Sequence, residues 1–218
     1  MTDQPAGGTT RDSRGPRVPR SPGARRRQQD ILRIAMDTFA ARGYNNASLA
    51  EIAERAGLTQ AGVLHYFRSK SLLLTSVLEL RDETDIEQLG AERPRGLAFL
   101  RHLVDTARRN AEREGIVRLY AVLSAESVTD DHPAQSYFRD RYVGLRAFVT
   151  DAVTEACGLA ESDAPRARHA ANAVIAVMDG LQVQWLLAPD AVDMAASTDL
   201  VIDSLLTALH QDRSTAEG

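Results

Sequence analysis

The sequence has one cysteine, one tryptophan and a single lysine, Lys70, against 25 arginines. A lone cysteine forms no internal disulfide, so Cys157 fits a reducing compartment, and Ala156 and Leu159 beside it mark it as a small core hydrophobe. The five histidines, at 65, 102, 132, 169 and 210, have no cysteine or carboxylate at zinc-ligand spacing such as H-E-x-x-H. G-x-S-x-G, Walker and G-x-G-x-x-G loops are missing, and the carboxylates are scattered. The expectation is therefore a protein that is not an enzyme and uses no metal or other cofactor. No apolar run approaches the roughly 18 residues of a membrane span. The first residues lack a signal-peptide core, and Asp3 and Asp12 with no apolar helical face argue against a transit peptide. A cytoplasmic protein with no membrane partner is expected. Sustained period-two alternation is missing too, which excludes a sheet and leaves an all-α fold.

What is present is unevenly charged. Residues 1–70 hold twelve basic and six acidic residues, whereas 71–218 hold fourteen and twenty-four. A positive front joined to a negative remainder predicts one polyanion-binding end. Residues 1–24, rich in Pro, Gly, Ser, Thr and Arg, read as a disordered basic tail.

From Arg25 the pattern is helical. Ile31, Ile34, Ala35, Thr38 and Phe39 share a face, and Gly43 stops the first helix. Ser48 and Glu51 form a capping box for a second helix, with Leu49, Ile52, Ala53 and Ala56 inward and Gly57 at its end. Thr59 caps a third, Gln60 to Phe67, and Ser69 a fourth, with Leu72, Leu73, Val77 and Leu80 inward. Five more follow. They have inward sets at Leu97, Leu100, Leu103, Val104 and Ala107, at Leu119, Tyr120 and Leu123, and at Tyr137, Phe138, Tyr142, Leu145, Phe148 and Val149. Pro165 and Pro189 bracket the eighth, and the ninth runs from about Asp193 to His210.

Residues 49–68, LAEIAERAGLTQAGVLHYFR, have the form of a helix–turn–helix. Ala53 is small enough for close helix approach, Gly57 permits a positive φ, and Leu58 and Val63 lock the pair so that the second helix can enter a major groove rigidly. The wider stretch, 43–78, resembles the DNA-binding domain of the TetR family of repressors. Gly43-Tyr44, Ser48-Leu49, Ile52-Ala53, Ala56-Gly57-Leu58-Thr59, Tyr66-Phe67 and Ser69-Lys70 match that pattern in order and spacing. Two positions depart from it: Ala61 stands where Gly is common, and Leu64 where a phosphate-binding Tyr is common.

The resemblance implies an N-terminal three-helix helix–turn–helix domain over 25–70 and a C-terminal ligand-binding and dimerisation domain over 71–218, about nine helices in all. It implies a repressor that a small-molecule effector of unknown identity releases from a palindromic double-stranded DNA operator. It also implies a homodimer closed by the last two helices, for which Ala171, Val174, Val177, Met178, Leu181, Val201, Leu205 and Leu209 supply stripes. The alternative is a small-molecule- or partner-binding helical protein with a vestigial helix–turn–helix, a reading that only Leu64 favours.

Particular residues carry the chemistry. Gln60, Ala61 and Gly62 open the recognition helix: Gln60 suits adenine, Ala61 a thymine methyl, and Gly62 a close backbone approach. Lys70, at a helix N-terminus, suits a phosphate. Ser48 and Thr59 are caps that also face the DNA backbone. Tyr66 is either a phosphate donor or a half-buried core ring; His65 either reaches a phosphate or base edge or lies on the surface. Arg25, Arg26 and Arg27, just before the first helix, suit a minor-groove arm. In the C-terminal half Arg118, Glu126, Asp179, Gln182 and Trp185 stand among apolar residues, and are expected either to meet a ligand or to pair structurally.

Overall fold

The computed structural model describes residues 21–88 and 93–216. Among these lie nine α-helices and no strand: α1 (Pro22–Asn46), α2 (Leu49–Arg55), α3 (Gln60–Tyr66), α4 (Lys70–Gln88), α5 (Gly96–Asn110), α6 (Glu114–Glu126), α7 (Gln135–Cys157), α8 (Ala164–Leu187) and α9 (Met194–Ala216). Of the tail expected over 1–24, residues 1–20 lie outside the described residues.

The helix ends follow from local chemistry. Ser48, Thr59 and Ser69 each accept the backbone N–H three residues on, from Glu51, Gly62 and Leu72, at 3.0, 3.1 and 3.0 Å. Between α2 and α3 the chain makes a Schellman turn: Leu58 N–H donates to Ala53 O and Gly57 N–H to Glu54 O, with Gly57 at φ 64°. The capping box is half used, because the Glu51 carboxylate accepts from Arg42 Nε at 2.9 Å. Gly43 breaks α1 as expected, at φ 70° and ψ 178°.

The first helix starts earlier than the sequence suggested. Ser21 accepts from Ala24 N–H and Pro22 supplies a helical φ, so Ser21 to Ala24 join α1 and not the tail. Arg25, Arg26 and Arg27 are consequently turns of helix and not an extended arm.

Three apolar clusters hold the bundle. The first unites α1 to α4 with Leu119, Tyr120 and Leu123 of α6 and Phe138 of α7. The second joins α5, α7, α8 and α9 around Leu100, Val149, Val174 and Ile202. A smaller third surrounds Trp185 with Ala107, Val117, Leu181 and Met194. Thus α1 and α4 share a core with the C-terminal half, and the helix–turn–helix is not a bead on a string. Cys157 is buried, and that burial pushes its thiol pKa up.

Several faces are rotated from expectation. In α4 the buried apolar set is Leu73, Leu74, Val77 and Leu78, with Leu80 outward, because α4 packs against α1 in the cluster they share with Leu119 and Leu123. Leu97 and Phe148 are exposed as well. The predicted dimer stripes are corrected: Ala171, Val174, Leu181 and Leu209 are buried within the protomer, and Val177, Met178 and Leu205 pack against the same cores. By length and composition α8 is apolar enough to cross a membrane, which the sequence reading did not foresee. Of its apolar residues, Ala167, Ala170, Ala171, Val174, Ile175, Leu181 and Trp185 are buried in the bundle.

The two turn glycines should respond differently to alanine. At Gly57 an added Cβ meets nothing, so Gly57→Ala should cost only left-handed strain, about 1–2 kcal/mol. Gly43 lies in a region that only glycine tolerates well, and an added Cβ would fall on Glu126 Oε1, so Gly43→Ala should cost about 3–5 kcal/mol once a charge-assisted hydrogen bond goes too. Urea unfolding of both variants checks the order; equal losses would show that the Glu126 contact adds nothing.

Candidate nucleic-acid interface

The recognition helix α3 has seven residues and depends on its neighbours for position. Val63 and, just beyond the helix, Phe67 are fully buried, and Leu58 and Tyr66 pack beside them. That anchoring turns Thr59, Gln60, Ala61 and His65 to solvent, with Gly62, Leu64 and Tyr66 half-buried. The His65 ring meets the Tyr66 ring edge-on at 5.5 Å. At Gly62 a Cβ would lie 3.4 Å from Leu58 Cβ and Thr59 Oγ1, ordinary contact, so an alanine there would fit.

Arg55 and Arg42, which the sequence reading left out, and Arg27, expected in a minor-groove arm, hold α2 and its turn against α1. Arg55 Nη1 donates to Thr38 Oγ1 at 2.7 Å, and that hydroxyl donates to Ile34 O. Arg42 takes Glu51, and Arg27 donates to Ala56 O at 3.3 Å. Arg27 is therefore a brace, whereas Arg25 and Arg26 stay exposed on the first turn of α1. Residue type alone did not reveal these pairings, because each partner lies nine or more residues away.

Tyr44 is the hub behind this surface. Its N–H donates to Glu126 Oε2 at 2.6 Å across 82 positions of sequence. Lys70 Nζ sits 4.4 Å above its ring centroid and 3.4 Å from Asn45 O. The ring of buried His132 meets it edge-on at 5.3 Å. Burial raises the Tyr44 pKa against a hydrogen bond with Ser71. Burial also lowers the Lys70 pKa, against the pull of Glu126. Glu126 is thus placed at the joint with the helix–turn–helix and not in a C-terminal pocket.

The other residues expected to meet a ligand are scattered. Arg118 pairs with Glu114 on the surface of α6, facing solvent. Trp185 is core. Gln182 lines a cavity of about 10 Å³ with Asn110 and Thr198, room for a water at most. Asp179 accepts from Tyr142 Oη at 2.8 Å, and burial raises the pKa of both groups.

A richer cluster escaped the sequence reading. Tyr137 Oη donates to Asp82 Oδ2 at 2.7 Å, Arg141 Nη1 to Asp82 Oδ1 at 2.9 Å, and the Tyr120 and Tyr137 hydroxyls lie 2.6 Å apart. Arg81 stacks 3.6 Å over the Tyr120 ring. Tyr137 and Arg141, four apart on α7, were the only local hint. Among the described residues no group of three His, Cys, Asp or Glu could hold a metal ion.

Residues 31–77 match the family described as bacterial regulatory proteins, tetR family, and residues 93–210 match the BetI-type transcriptional repressor C-terminal family. The chain is 29% identical over 199 residues to the HTH-type transcriptional regulator TtgR of Pseudomonas putida, covering 86% of this chain and 93% of that one. A transcriptional regulator from Rhodococcus sp. Rha1 shares the fold at TM-score 0.65 and 20% identity, over 83% of this chain and 96% of the other. The transcriptional regulator FadR of Bacillus subtilis, solved with stearoyl-CoA, does so at TM-score 0.65 and 17% identity, over 82% and 97%. These matches, which cover both the helix–turn–helix and the bundle behind it, settle the identity: the chain belongs to the TetR family of DNA-binding transcription regulators.

Proposed function

We propose that the protein is a homodimeric repressor that reads an inverted-repeat operator with α3 and leaves it when a small molecule enters the C-terminal bundle. The observation that carries this reading is the orientation of α3: its buried side, at Val63, is locked inward, and Thr59, Gln60, Ala61 and His65 are exposed. Gln60 and Ala61 read base edges, with Gly62 bringing the backbone close. Ser48, Thr59, His65, Tyr66 and Lys70 hold phosphates, helped by Arg25 and Arg26 from the first turn of α1 and by the positive helix ends behind the caps. The vestigial alternative rests on Leu64 alone, a half-buried residue beside the exposed Ala61 and His65.

The dimer face follows from what the protomer leaves uncovered. On α8 Val183 and Leu187 are 47% and 82% exposed, and on α9 Leu200 is 68% exposed, with Ala176, Ala196 and Ser204 along the same outer stripes. Two copies closing these stripes form a four-helix interface and set the recognition helices about 34 Å apart, one turn of DNA.

The effector site is read from the polar groups inside the bundle. Tyr142 bonds Asp179, and Tyr137 and Arg141 bond Asp82, side chain to side chain, so a ligand with matching groups can compete for those partners. Stearoyl-CoA in the Bacillus subtilis relative supports small-molecule control. Release requires only that the effector bind the mis-spaced conformer better.

Two outcomes are expected. With a duplex selected by the protein from random sequence, affinity should fall steeply with salt, and Lys70→Ala should reduce the log–log slope by about one. In the same titration Gln60→Ala should cost about 1–3 kcal/mol on that duplex and little on unrelated DNA. A flat salt response would reject the DNA-reading surface. Second, the double change Leu187→Asp with Leu200→Asp should give monomers in sedimentation while the helical content stays unchanged. A dimer that persists would place the interface elsewhere.

A further inference from the structure

We propose that Glu126, a residue of the C-terminal half that touches no DNA, is the positioning residue for the whole recognition unit. Through it, movement of α6 reaches α3 and the Lys70 phosphate anchor together.

The geometry is specific. Glu126 is the last residue of α6, and its Oε2 takes the Tyr44 N–H at 2.6 Å. That amide lies just after the break at Gly43, in the five-residue stretch 44–48 that leads into α2. Gly43 is at φ 70°, and a Cβ there would occupy the space of Glu126 Oε1, so the chain has given up a side chain to admit the carboxylate. Behind the carboxylate, His132 Nε2 lies 3.6 Å from Oε2, while His132 Nδ1 accepts the Ala134 N–H at 3.2 Å. The accepting Nδ1 fixes the neutral tautomer with its proton on Nε2, directed at Glu126. Burial lowers the His132 pKa, in agreement with that neutral form. The carboxylate is thus backed by a ring that cannot move without losing its own hydrogen bond.

What Glu126 holds is the hub of the DNA-facing side. Tyr44 carries Lys70 on its ring, and its hydroxyl bonds Ser71 in the first turn of α4. Tyr44 also leads directly into Ser48, the cap of α2, whose far end turns into α3. A shift of α6 by a fraction of an ångström is not absorbed by a short charge-assisted hydrogen bond, so it passes to Tyr44 and onward. Reach matters here more than charge. An amide of the same length preserves the bond, and a carboxylate one methylene shorter does not.

This inference rests on the reading of α3 as the DNA-contacting helix, and its test separates the two. Full-length wild type, Glu126→Gln, Glu126→Asp and Glu126→Ala would be titrated with the selected duplex and with unrelated DNA, and the Tyr44 amide would be followed by hydrogen exchange. Glu126→Gln should keep specific affinity within about threefold of wild type. Glu126→Asp and Glu126→Ala should lose about tenfold or more, with non-specific affinity unchanged and the Tyr44 amide exchanging faster. A merely structural role would lower specific and non-specific binding together. That result, or Glu126→Gln failing as badly as Glu126→Ala, or Glu126→Asp matching wild type, would overturn the proposal. The Gln and Asp variants keep polarity and bulk, so the comparison survives if the alanine variant misfolds. Should wild type bind no selected duplex, the α3 reading fails, while Tyr44 exchange still tests the clamp.

Discussion

The contact between α1 and α6 governs this molecule. Ile31, Ala35 and Phe39 are fully buried in one cluster with Leu119 and Leu123, and the pairing of Tyr44 with Glu126 seals the end of that seam. A helix–turn–helix of two seven-residue helices has too little apolar surface to hold its own shape or direction. It borrows both from α1, and α1 borrows them from α6. Under the proposed effector control, the core shared between the two halves would also be the route by which the bundle acts on the recognition helix.

How far the fold could be read from sequence depended on whether each signal was local. The caps at Ser48, Thr59 and Ser69 and the turn at Gly57 are decided within four residues, and they stand in the structure where the sequence puts them. Helix rotation is different. In 72–74 three consecutive leucines offer no periodicity, and only packing of α4 against α1 and the core they share selects Leu73 and Leu74. The same holds on α8, where small and apolar residues occur all round. The stripe facing the protomer and the stripe left outside are equally plausible dimer faces until α7 and α9 cover one of them. Glu126 shows the limit most clearly: its partner is 82 residues away, and from sequence it resembles any polar residue on an apolar helix.

The polar groups of the C-terminal half fall into two kinds, and the distinction has consequences. Arg118 pairs within its own helix in solvent, where such a pair contributes little. Asp82, Tyr120, Tyr137 and Arg141 come from three helices and bond one another inside the bundle, so each helix has a stake in the position of the others. A network of that kind has few arrangements that satisfy every member. Displacing one partner obliges α4, α6 and α7 to move by discrete amounts, which is the behaviour a switch needs.

The joint is asymmetric in a way that fits this role. α4 carries Asp82 of the interior network and, one end away, Lys70 over the Tyr44 ring; α6 carries Tyr120 of the same network and ends at Glu126. Two helices thus leave the polar network and arrive at one residue, Tyr44, α4 at its ring and α6 at its backbone N–H. A ligand that drew Tyr120 and Asp82 apart would move Glu126 and Lys70 by different vectors, twisting the link into α2 instead of translating it. Rotation of a short recognition helix changes which side chains meet the groove, whereas translation along the duplex changes only register. In the proposed repressor, release from DNA would follow from loss of readout geometry at each half-site as well as from a change in the spacing between them.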